Sequence, residues 1–244
     1  MAGAVKIKHA VILAAGRGQR MMPLTGELPK AMAPYRGTTL IAQGIERVGA
    51  HVENVHITVG HRAAMLAEHV IHHGARSVIG TEGQSNSWWI HNTLLAELDE
   101  PVYVLTCDNV IELDFDRIAA ESARLGNPPC MLVPVKPVPG LDGDYIFEVE
   151  QRVTDLSRTQ TAPTYCSGVQ VLHPRRVREM TDGGGDFDDV WRQLIAAGAL
   201  YCSRVYPDRW ISLDTMEQLA DADPEQAAAL RERFGEAGAG ALCG

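Results

Sequence analysis

Short apolar segments alternate with segments of helical periodicity over the first half of the chain, and glycine or polar residues separate them. An uninterrupted apolar run of about five residues is typical of a strand buried on both faces, whereas apolar residues spaced three and four apart are typical of a surface helix. The expected strands are residues 11–15, 55–59, 77–79, 102–106 and 130–135, and the expected helices are residues 40–50, 62–73, 88–98 and 115–125. This alternation predicts an α/β protein with a Rossmann-like, mostly parallel sheet flanked by helices.

The alternation changes after Pro134, where three shorter apolar segments follow without full helices between them. These segments, residues 145–149, 152–156 and 167–172, predict a small antiparallel extension over the mouth of the sheet. Further elements are expected at residues 189–197 (helix), 201–205 (strand) and 215–222 (helix). We therefore expect a single domain over residues 1–235 and a flexible Gly/Ala-rich tail over residues 236–244.

Composition and charge exclude several classes of function. The formal net charge is −9, and no cluster of Lys and Arg forms the basic face that a nucleic-acid-binding protein needs. No apolar run reaches the ~18 residues of a membrane span, and the first apolar run passes directly into a glycine loop, unlike a signal peptide. The five cysteines are scattered, which argues against a disulfide framework or a zinc site. We expect a cytoplasmic protein with no nucleic-acid or membrane partner; a homo-oligomer is compatible with this composition.

A glycine loop directly follows the first expected strand. It reads Gly16-x-Gly18-x-Arg20, then Pro-Leu-Thr at residues 23–25, then Pro29-Lys30. Ligands of parallel sheets bind beyond the carboxyl ends of the strands, where glycines let backbone N–H groups approach phosphate oxygens and Arg20 and Lys30 add cationic donors. The spacing does not match a Walker loop, and Met21 stands where a dinucleotide fingerprint requires Gly or Ala. The segment therefore predicts a polyphosphate site.

Residues 14–34, AAGRGQRMMPLTGELPKAMAP, resemble the signature of the nucleotidylyltransferases of the sugar-phosphate type, a strand followed by GxGxR and later by Pro-Lys. The resemblance implies a nucleotide-diphospho-sugar transferase-like fold, with a nucleotide-binding half near residues 1–135 and an acceptor-binding half near residues 136–235. It also implies that Arg20 and Lys30 are catalytic, with Lys30 stabilising charge at the α-phosphate. The implied nucleotide-binding residues at the end of the first strand and in the glycine loop are Leu13, Ala14, Ala15, Gly16 and Gly18.

Two aspartates are candidate ligands of Mg²⁺, a cation that prefers oxygen ligands and substrate phosphates. Asp108 closely follows the expected strand at residues 102–106, where the resemblance implies a catalytic, metal-binding aspartate; Cys107 replaces the Gly that often precedes it. Asp214, in WISLDT, resembles the family's late aspartate. Its alternative role is helix capping, since Asp or Thr just ahead of a helix commonly forms the N-cap. We predict that Asp108 and Asp214 together bind Mg²⁺.

The segment GQSNSWWIHNT at residues 83–93 departs from the Gly-Thr-Gly-like run of sugar-specific members of the family. It resembles the Asn-Ser-aromatic run of the phosphocholine and phosphonate cytidylyltransferases. The resemblance implies that Gln84 reads the base, with Ser87 as a further nucleotide-binding candidate. Trp88 could offer its ring to an acceptor ring or cationic head group, or it could simply pack the start of a helix.

Four further residues are candidates for binding the acceptor. Either Arg158 or Lys136 would replace the lysine that the family places on the acceptor phosphate. Ser167 and Gly168 resemble the small-residue turn that lines the family's acceptor pocket, and a bulge at Gly168 is the simpler structural alternative.

The sequence thus predicts a Mg²⁺-dependent nucleotidylyltransferase that uses an NTP and a phosphorylated small-molecule acceptor and releases pyrophosphate. The segment at residues 83–93 favours CTP and an acceptor other than a sugar, such as a phosphocholine-, phosphonate- or amino-acid-phosphate-like molecule. The first alternative is a sugar-1-phosphate nucleotidylyltransferase. A catalytically silent nucleotide-sensing module and a dinucleotide-dependent oxidoreductase are alternatives from other classes.

Overall fold

The computed structural model describes residues 6–138, 141 and 143–234, and the expected tail at residues 236–244 lies outside them. The strands are β1 His9–Ala14, β2 Pro34–Tyr35, β3 Thr38–Thr39, β4 Asn54–Val59, β5 Ser77–Gly80, β6 Val102–Thr106, β7 Asn109–Glu112, β8 Cys130–Val135, β9 Tyr145–Val149, β10 Arg152–Ser157, β11 Tyr165–Leu172, β12 Leu200–Cys202 and β13 Arg209–Ser212. The α-helices are α1 Leu24–Glu27, α2 Leu40–Gly49, α3 Ala63–His72, α4 Trp89–Asn92, α5 Phe115–Arg124, α6 Pro174–Met180, α7 Phe187–Ala196, α8 Met216–Ala222 and α9 Pro224–Phe234. Short 3-10 turns cover Gln19–Met21, Lys30–Met32 and Leu94–Glu97.

Nine strands of the described residues form one sheet in the order β5-β4-β1-β6-β11-β8-β12-β10-β9. β1 lies between β4 and β6 and is parallel to both, with Leu13 opposite Thr58 and Thr106. β11 runs antiparallel between β6 and β8. β9 also pairs with β11, so the second half of the sheet curls back on itself. The predicted α/β fold with a mostly parallel sheet is confirmed.

Side chains of β1 alternate between two separate apolar clusters, as expected for a strand buried on both faces. Ala10, Ile12 and Ala14 belong to a cluster that contains residues of α2, α3 and α5, whereas Val11 belongs to a cluster that contains residues of α6 and α7. Helices therefore cover both faces of the sheet. Among the described residues, no helix is long and apolar enough to cross a membrane.

Two elements differ from the sequence-based expectation. β11 was expected in an extension over the sheet, but it lies in the middle of the sheet, where its pairing with β6 joins the two halves of the chain. The helix expected at residues 88–98 is two short helical segments instead. Thr93 interrupts it, because its hydroxyl accepts a hydrogen bond from the Leu95 amide and donates one to the Trp89 carbonyl.

A row of polar side chains lies near the beginning of the parallel strands, away from their carboxyl ends. The rings of His9 and His56 stack, and Nδ1 of His9 lies 2.9 Å from Nε2 of His56. Nδ1 of His56 lies 2.7 Å from the Ser77 hydroxyl. Burial, with help from His9 and Arg76, lowers the pKa of His56 from its ordinary value of 6.5 to about 4. The buried imidazole of His56 is therefore neutral above that pH.

We expect His56 to make the fold sensitive to acid. The pKa of His56 is lower in the folded chain than in the unfolded chain. Its contribution to the free energy of unfolding is therefore complete above pH 6.5 and is lost as the pH falls toward 4. A shift of this size corresponds to a loss of about 3 kcal/mol of unfolding free energy. Urea unfolding at pH 7 and pH 4.5 should show a smaller loss for His56→Gln than for the wild type. The matched control is His72→Gln, because His72 is exposed. Equal losses of unfolding free energy for the wild type and His56→Gln would contradict the role of His56 in acid sensitivity.

Candidate active site

The glycine loop leaves the carboxyl end of β1 and packs against the Lys30 side chain. Gly18 has a φ of +64°, and a Cβ added there would stand 2.6 Å from Cβ of Lys30. The Thr25 hydroxyl donates to the Gly18 carbonyl at 2.9 Å, which fixes the turn. Position 18 therefore requires glycine both for its backbone conformation and for the close approach. Lys30 itself is only 8% exposed.

Neighbouring strands hold the backbone at the end of β1. The Leu13 carbonyl accepts from the Cys107 amide at 3.1 Å, and the Ala15 carbonyl accepts from the His61 amide at 3.2 Å. The Ala14 amide donates to the Thr58 hydroxyl at 3.2 Å. Gly16 is exposed, with open space where a Cβ would stand. The loop thus starts from a fixed backbone and opens to solvent at Gly16.

A two-stranded antiparallel ribbon, β7 with β13, brings the two candidate aspartates together. Asn109 pairs with Ser212, and the Leu213 amide donates to the Asp108 carbonyl at 2.9 Å. Asp108 immediately precedes β7, and Asp214 follows β13 by one intervening residue. The ribbon therefore sets both carboxylates at the carboxyl ends of β1 and β6, beside the glycine loop.

Lys30 lies between these carboxylates. Its Nζ is 2.6 Å from Oδ2 of Asp108 and 2.5 Å from Oδ1 of Asp214. Burial tends to lower the pKa of Lys30, but the two aspartates outweigh burial and raise it above its ordinary value. Burial tends to raise the pKa of Asp214, but Lys30, the Ser212 hydroxyl and Arg20 together lower it. At neutral pH, Lys30 therefore carries its positive charge and Asp214 its negative charge.

Arg20 completes the cluster from the solvent side. Its guanidinium is 3.1 Å from Oδ1 of Asp214, and its side chain is largely exposed. A guanidinium held at one end and open at the other has donors left for phosphate oxygens. The structure thus brings Arg20, Lys30, Asp108 and Asp214 together at one place.

Helix capping does not account for Asp214. Thr215 is the N-cap of α8, and its side chain accepts from the Gln218 amide while the Gln218 side chain accepts from the Thr215 amide. The Asp214 carboxylate instead accepts from Lys30 and from Ser212, at 3.0 Å for the latter. The alternative raised by the sequence is thereby corrected: capping falls to the next residue, and the Asp214 side chain faces the cluster.

The donor set of the cluster suits a hard divalent cation. Asp108 and Asp214 offer only oxygen atoms, which Mg²⁺ accepts from one or two carboxylates when substrate phosphates and water complete its coordination. Within the described residues, no group of three or more His, Cys, Asp and Glu side chains is arranged to hold a metal. Burial raises the pKa of the neighbouring Cys107 thiol to about 12, so it is neutral and unsuited to bind a metal. Two carboxylates alone fit a cation shared with a phosphorylated substrate.

The residues of the loop before α4 that were predicted to contact the nucleotide or the acceptor differ in their exposure to solvent. Gln84 is exposed and Trp88 is half-buried, whereas Trp89 is fully buried in the core. Ser87 is also fully buried, and its hydroxyl donates to the Gly185 carbonyl at 2.6 Å. Gln84 and Trp88 therefore reach the surface, while Ser87 connects this loop to the turn before α7.

The two candidate contacts of the acceptor phosphate have different surroundings. Arg158 is exposed and pairs with Asp144 at 3.0 Å, and Asp186 and Asp188 lie near enough to stabilise its charge further. Lys136 follows β8 and is exposed, and it makes no ion pair within the described residues. Lys136 is the more available of the two for an incoming phosphate.

Ser167 and Gly168 form a bulge in β11, where the register with β8 shifts between Cys166 and Val169. Ser167 is buried, and its hydroxyl donates to the Val133 carbonyl at 2.6 Å. Gly168 has a φ of +80°. The bulge that was the structural alternative for Gly168 is present beside the end of β6, and the acceptor-binding role of Ser167 and Gly168 stays a prediction.

Two polar residues near the cluster had no sequence-based assignment. The Asn109 amide donates to the Thr106 hydroxyl and to the Ser167 carbonyl, both at 2.7 Å. The Trp210 indole N–H donates to the same carbonyl at 2.8 Å. Their only sequence signal is position, since Asn109 follows Asp108 and Trp210 precedes Asp214 by four residues.

Comparison with known proteins identifies the class to which this fold and site belong. Residues 10–138, just over half of the chain, match the family model of the MobA-like NTP transferase domain. The chain belongs to this family and is a nucleotidyltransferase, which confirms the predicted resemblance. N-acetylmuramate alpha-1-phosphate uridylyltransferase of Caulobacter vibrioides is 28% identical over 246 residues, covering 94% of this chain and 98% of that protein.

Solved structures share the fold over nearly the whole chain. The inositol-1-phosphate CTP transferase from T. maritima has a TM-score of 0.72 at 16% identity, covering 94% of this chain and 98% of that one. The CTP:phosphocholine cytidylyltransferase from Streptococcus pneumoniae has a TM-score of 0.68 at 18% identity, covering 93% and 100%. At these identities the likeness concerns the fold alone.

Proposed function

We propose that this chain transfers a nucleoside monophosphate from an NTP to the phosphate of a small phosphorylated metabolite and releases pyrophosphate. The observation that carries the proposal is the position of Lys30 between Asp108 and Asp214, beside the glycine loop at the carboxyl ends of β1 and β6. Ligands of open α/β sheets bind at this edge. A buried ammonium and two carboxylates supply the charges that phosphoryl chemistry needs without a protein nucleophile.

The reaction is an in-line displacement in which the acceptor phosphate oxygen bonds to the α-phosphorus. The bond from the α-phosphorus to the bridging oxygen breaks, and that oxygen leaves with pyrophosphate. Asp108 and Asp214 would hold Mg²⁺, which neutralises charge on phosphate oxygens when bound. Lys30 stabilises the charge that develops at the α-phosphate, and Arg20 contacts the triphosphate. Gly16 and Gly18 let the loop backbone approach the phosphates.

The first candidate acceptor is a phosphorylated molecule other than a sugar, with CTP as the nucleotide. The segment Asn86-Ser87-Trp88-Trp89 supports it, because this segment replaces the glycine-rich run of sugar-specific members. Trp88 is half-buried, so part of its ring is free to contact a ligand. Gln84, exposed on the same loop, is the proposed base-reading residue, and Lys136 is the proposed contact of the acceptor phosphate.

The second candidate acceptor is a sugar 1-phosphate. The relative from Caulobacter vibrioides, named as an N-acetylmuramate alpha-1-phosphate uridylyltransferase, supports it because the similarity extends over 94% of this chain. In that case UTP is the expected nucleotide, and Trp88 would stack on the sugar ring.

A matrix of pyrophosphate-release assays tests the proposal. Each of four NTPs is combined with phosphocholine, a phosphonate, an amino-acid phosphate and several sugar 1-phosphates, including N-acetylmuramate 1-phosphate, with and without Mg²⁺. We expect release that requires both an acceptor and Mg²⁺, and the active pair identifies the acceptor class. Absence of release from every pair would instead favour a nucleotide-sensing module.

Trp88→Ala is expected to raise the acceptor KM by about tenfold while the KM for the NTP changes little, because loss of one stacked ring costs about 1 kcal/mol or more. Steady-state kinetics with the active pair measure both constants. Trp89→Phe is the matched control, since Trp89 lies in the core, and it should lower Tm without a selective effect on the acceptor. Equal changes in both KM values for Trp88→Ala would remove Trp88 from the acceptor pocket.

A further inference from the structure

The Asn109 side chain connects the strand end that carries Asp108 to the bulge of β11. One nitrogen, Nδ2, donates two hydrogen bonds of 2.7 Å, one to the Thr106 hydroxyl on β6 and one to the Ser167 carbonyl on β11. An amide nitrogen has two N–H donors, so this atom is fully used by the two contacts. Asn109 thus bridges two neighbouring strands at the position where β11 departs from regular pairing.

The ribbon that holds Asp214 reaches the same carbonyl. The Trp210 indole N–H donates to the Ser167 carbonyl at 2.8 Å, and Trp210 lies in β13 opposite Ile111 of β7. The Ser167 carbonyl therefore accepts from both strands of the ribbon. The two strands that adjoin Asp108 and Asp214 are therefore both hydrogen-bonded, through side chains, to one peptide group of the bulge.

Close packing makes this connection stiff. A Cβ added at Gly168 would stand 2.5 Å from Nδ2 of Asn109 and 2.9 Å from the Thr106 hydroxyl oxygen. The backbone of the bulge therefore lies directly against the Asn109 amide, with no space for a larger residue at position 168. A shift of the bulge relative to Asp108 would break the hydrogen bonds of Asn109.

We infer that Asn109 is a positioning residue that fixes the acceptor-binding bulge relative to the Asp108–Lys30–Asp214 cluster. The inference rests on the proposed function, in which the cluster holds the nucleotide phosphates, and on the acceptor-pocket role that the family resemblance implies for the Ser167–Gly168 turn. Nucleotidyl transfer requires the acceptor oxygen to approach the α-phosphorus in line, and a misplacement of about 1 Å can cost a hundredfold in rate. Asn109 holds the two substrates' binding elements at a constant separation.

The test compares Asn109→Leu with the wild type in steady-state kinetics, using the most active NTP and acceptor pair. Leucine is close in shape to asparagine and has no donors, so it removes both hydrogen bonds. We expect the acceptor KM to rise about tenfold and kcat to fall about tenfold, with the KM of the NTP nearly unchanged. Trp210→Phe removes one bond to the same carbonyl, and we expect a smaller change in the same direction.

Gln151→Leu is the matched control. Its amide nitrogen also donates to a backbone carbonyl, that of Cys202 at 3.0 Å, but lies in the region of Glu121 and β12, away from the cluster. This variant should lower Tm and leave both KM values unchanged. A purely structural role for Asn109 would give the same pattern and would overturn the inference. If Asn109→Leu does not fold, Trp210→Phe provides the test. A selective change in the acceptor KM and kcat would then support the inference, and a change in Tm alone would overturn it. A wild type that is inactive with every pair would refute the proposed function itself, and the inference with it.

Discussion

Lys30→Met is expected to lower kcat by about a thousandfold, because it removes the charge that we propose stabilises the α-phosphate in the transition state. Methionine keeps most of the aliphatic stem against which Gly18 packs, so the loop should retain its conformation. Loss of the ammonium leaves Asp108 and Asp214 facing each other, and within the described residues Arg20, which pairs with Asp214, is then the remaining cation of the cluster. Pyrophosphate release under saturating substrates measures the effect.

Two further variants test whether the effect is specific to a lysine ammonium at position 30. Lys8→Met removes a surface lysine whose ammonium pairs with Glu100 at 3.3 Å, and should leave kcat unchanged. Lys30→Arg keeps the charge in a bulkier, planar group that we expect to push apart the two carboxylates around the lysine ammonium, so it should restore little activity. Near-normal turnover by Lys30→Met in a folded protein would remove Lys30 from the catalytic residues.

Asp108→Asn is expected to reduce turnover by a similar factor, about a thousandfold, and to raise the Mg²⁺ concentration needed for half-maximal rate. Asparagine has the shape of aspartate and still accepts a hydrogen bond from Lys30, so the change removes the charge and little else. With one carboxylate lost, Asp214 alone would hold the cation. A Mg²⁺ titration of the pyrophosphate-release rate measures both effects.

Asp99→Asn is the control for Asp108. Asp99 is largely exposed and pairs with Arg175 at 2.8 Å, away from the cluster, so its loss should leave the rate and the Mg²⁺ dependence unchanged. An Asp108→Asn protein with the Mg²⁺ dependence of the wild type would show that Asp108 is not a metal ligand, whatever its rate.

Much of the sheet could be predicted because its signals are local. Short, mostly apolar runs predicted β4, β6 and β8 closely, since strands buried on both faces need few polar residues. The glycine loop could likewise be read from residues 16–30, which are contiguous. These signals located the predicted phosphate-binding edge of the sheet before any three-dimensional information was used.

The connection between the two aspartates had no comparable local signal. β7 and β13 are four residues each, and their pairing depends on a contact between distant segments. The same limit applies to Asn109 and Trp210, whose shared partner, the Ser167 carbonyl, lies on a third segment. Every residue has a backbone carbonyl, so the residue type at position 167 does not indicate which side chains donate to it.

Neighbouring residues of one segment can also differ in burial, and the sequence could not show which of them is buried. Trp88 and Trp89 are chemically identical, yet Trp88 is half-buried and Trp89 is fully buried. Which ring enters the core depends on the short turn of α4 and its break at Thr93, and the longer helix expected there would have presented the two rings differently.

The late position of β13 has a consequence for local opening of the structure. The last strand of the nine-stranded sheet, β12, ends at Cys202, so every strand of that sheet precedes Asp214 in the sequence. Asp214 reaches Lys30 through the two-stranded ribbon of β7 and β13, which is a separate sheet. Local unfolding of β13 would therefore separate Asp214 from Lys30 and leave the pairing of the nine-stranded sheet in place.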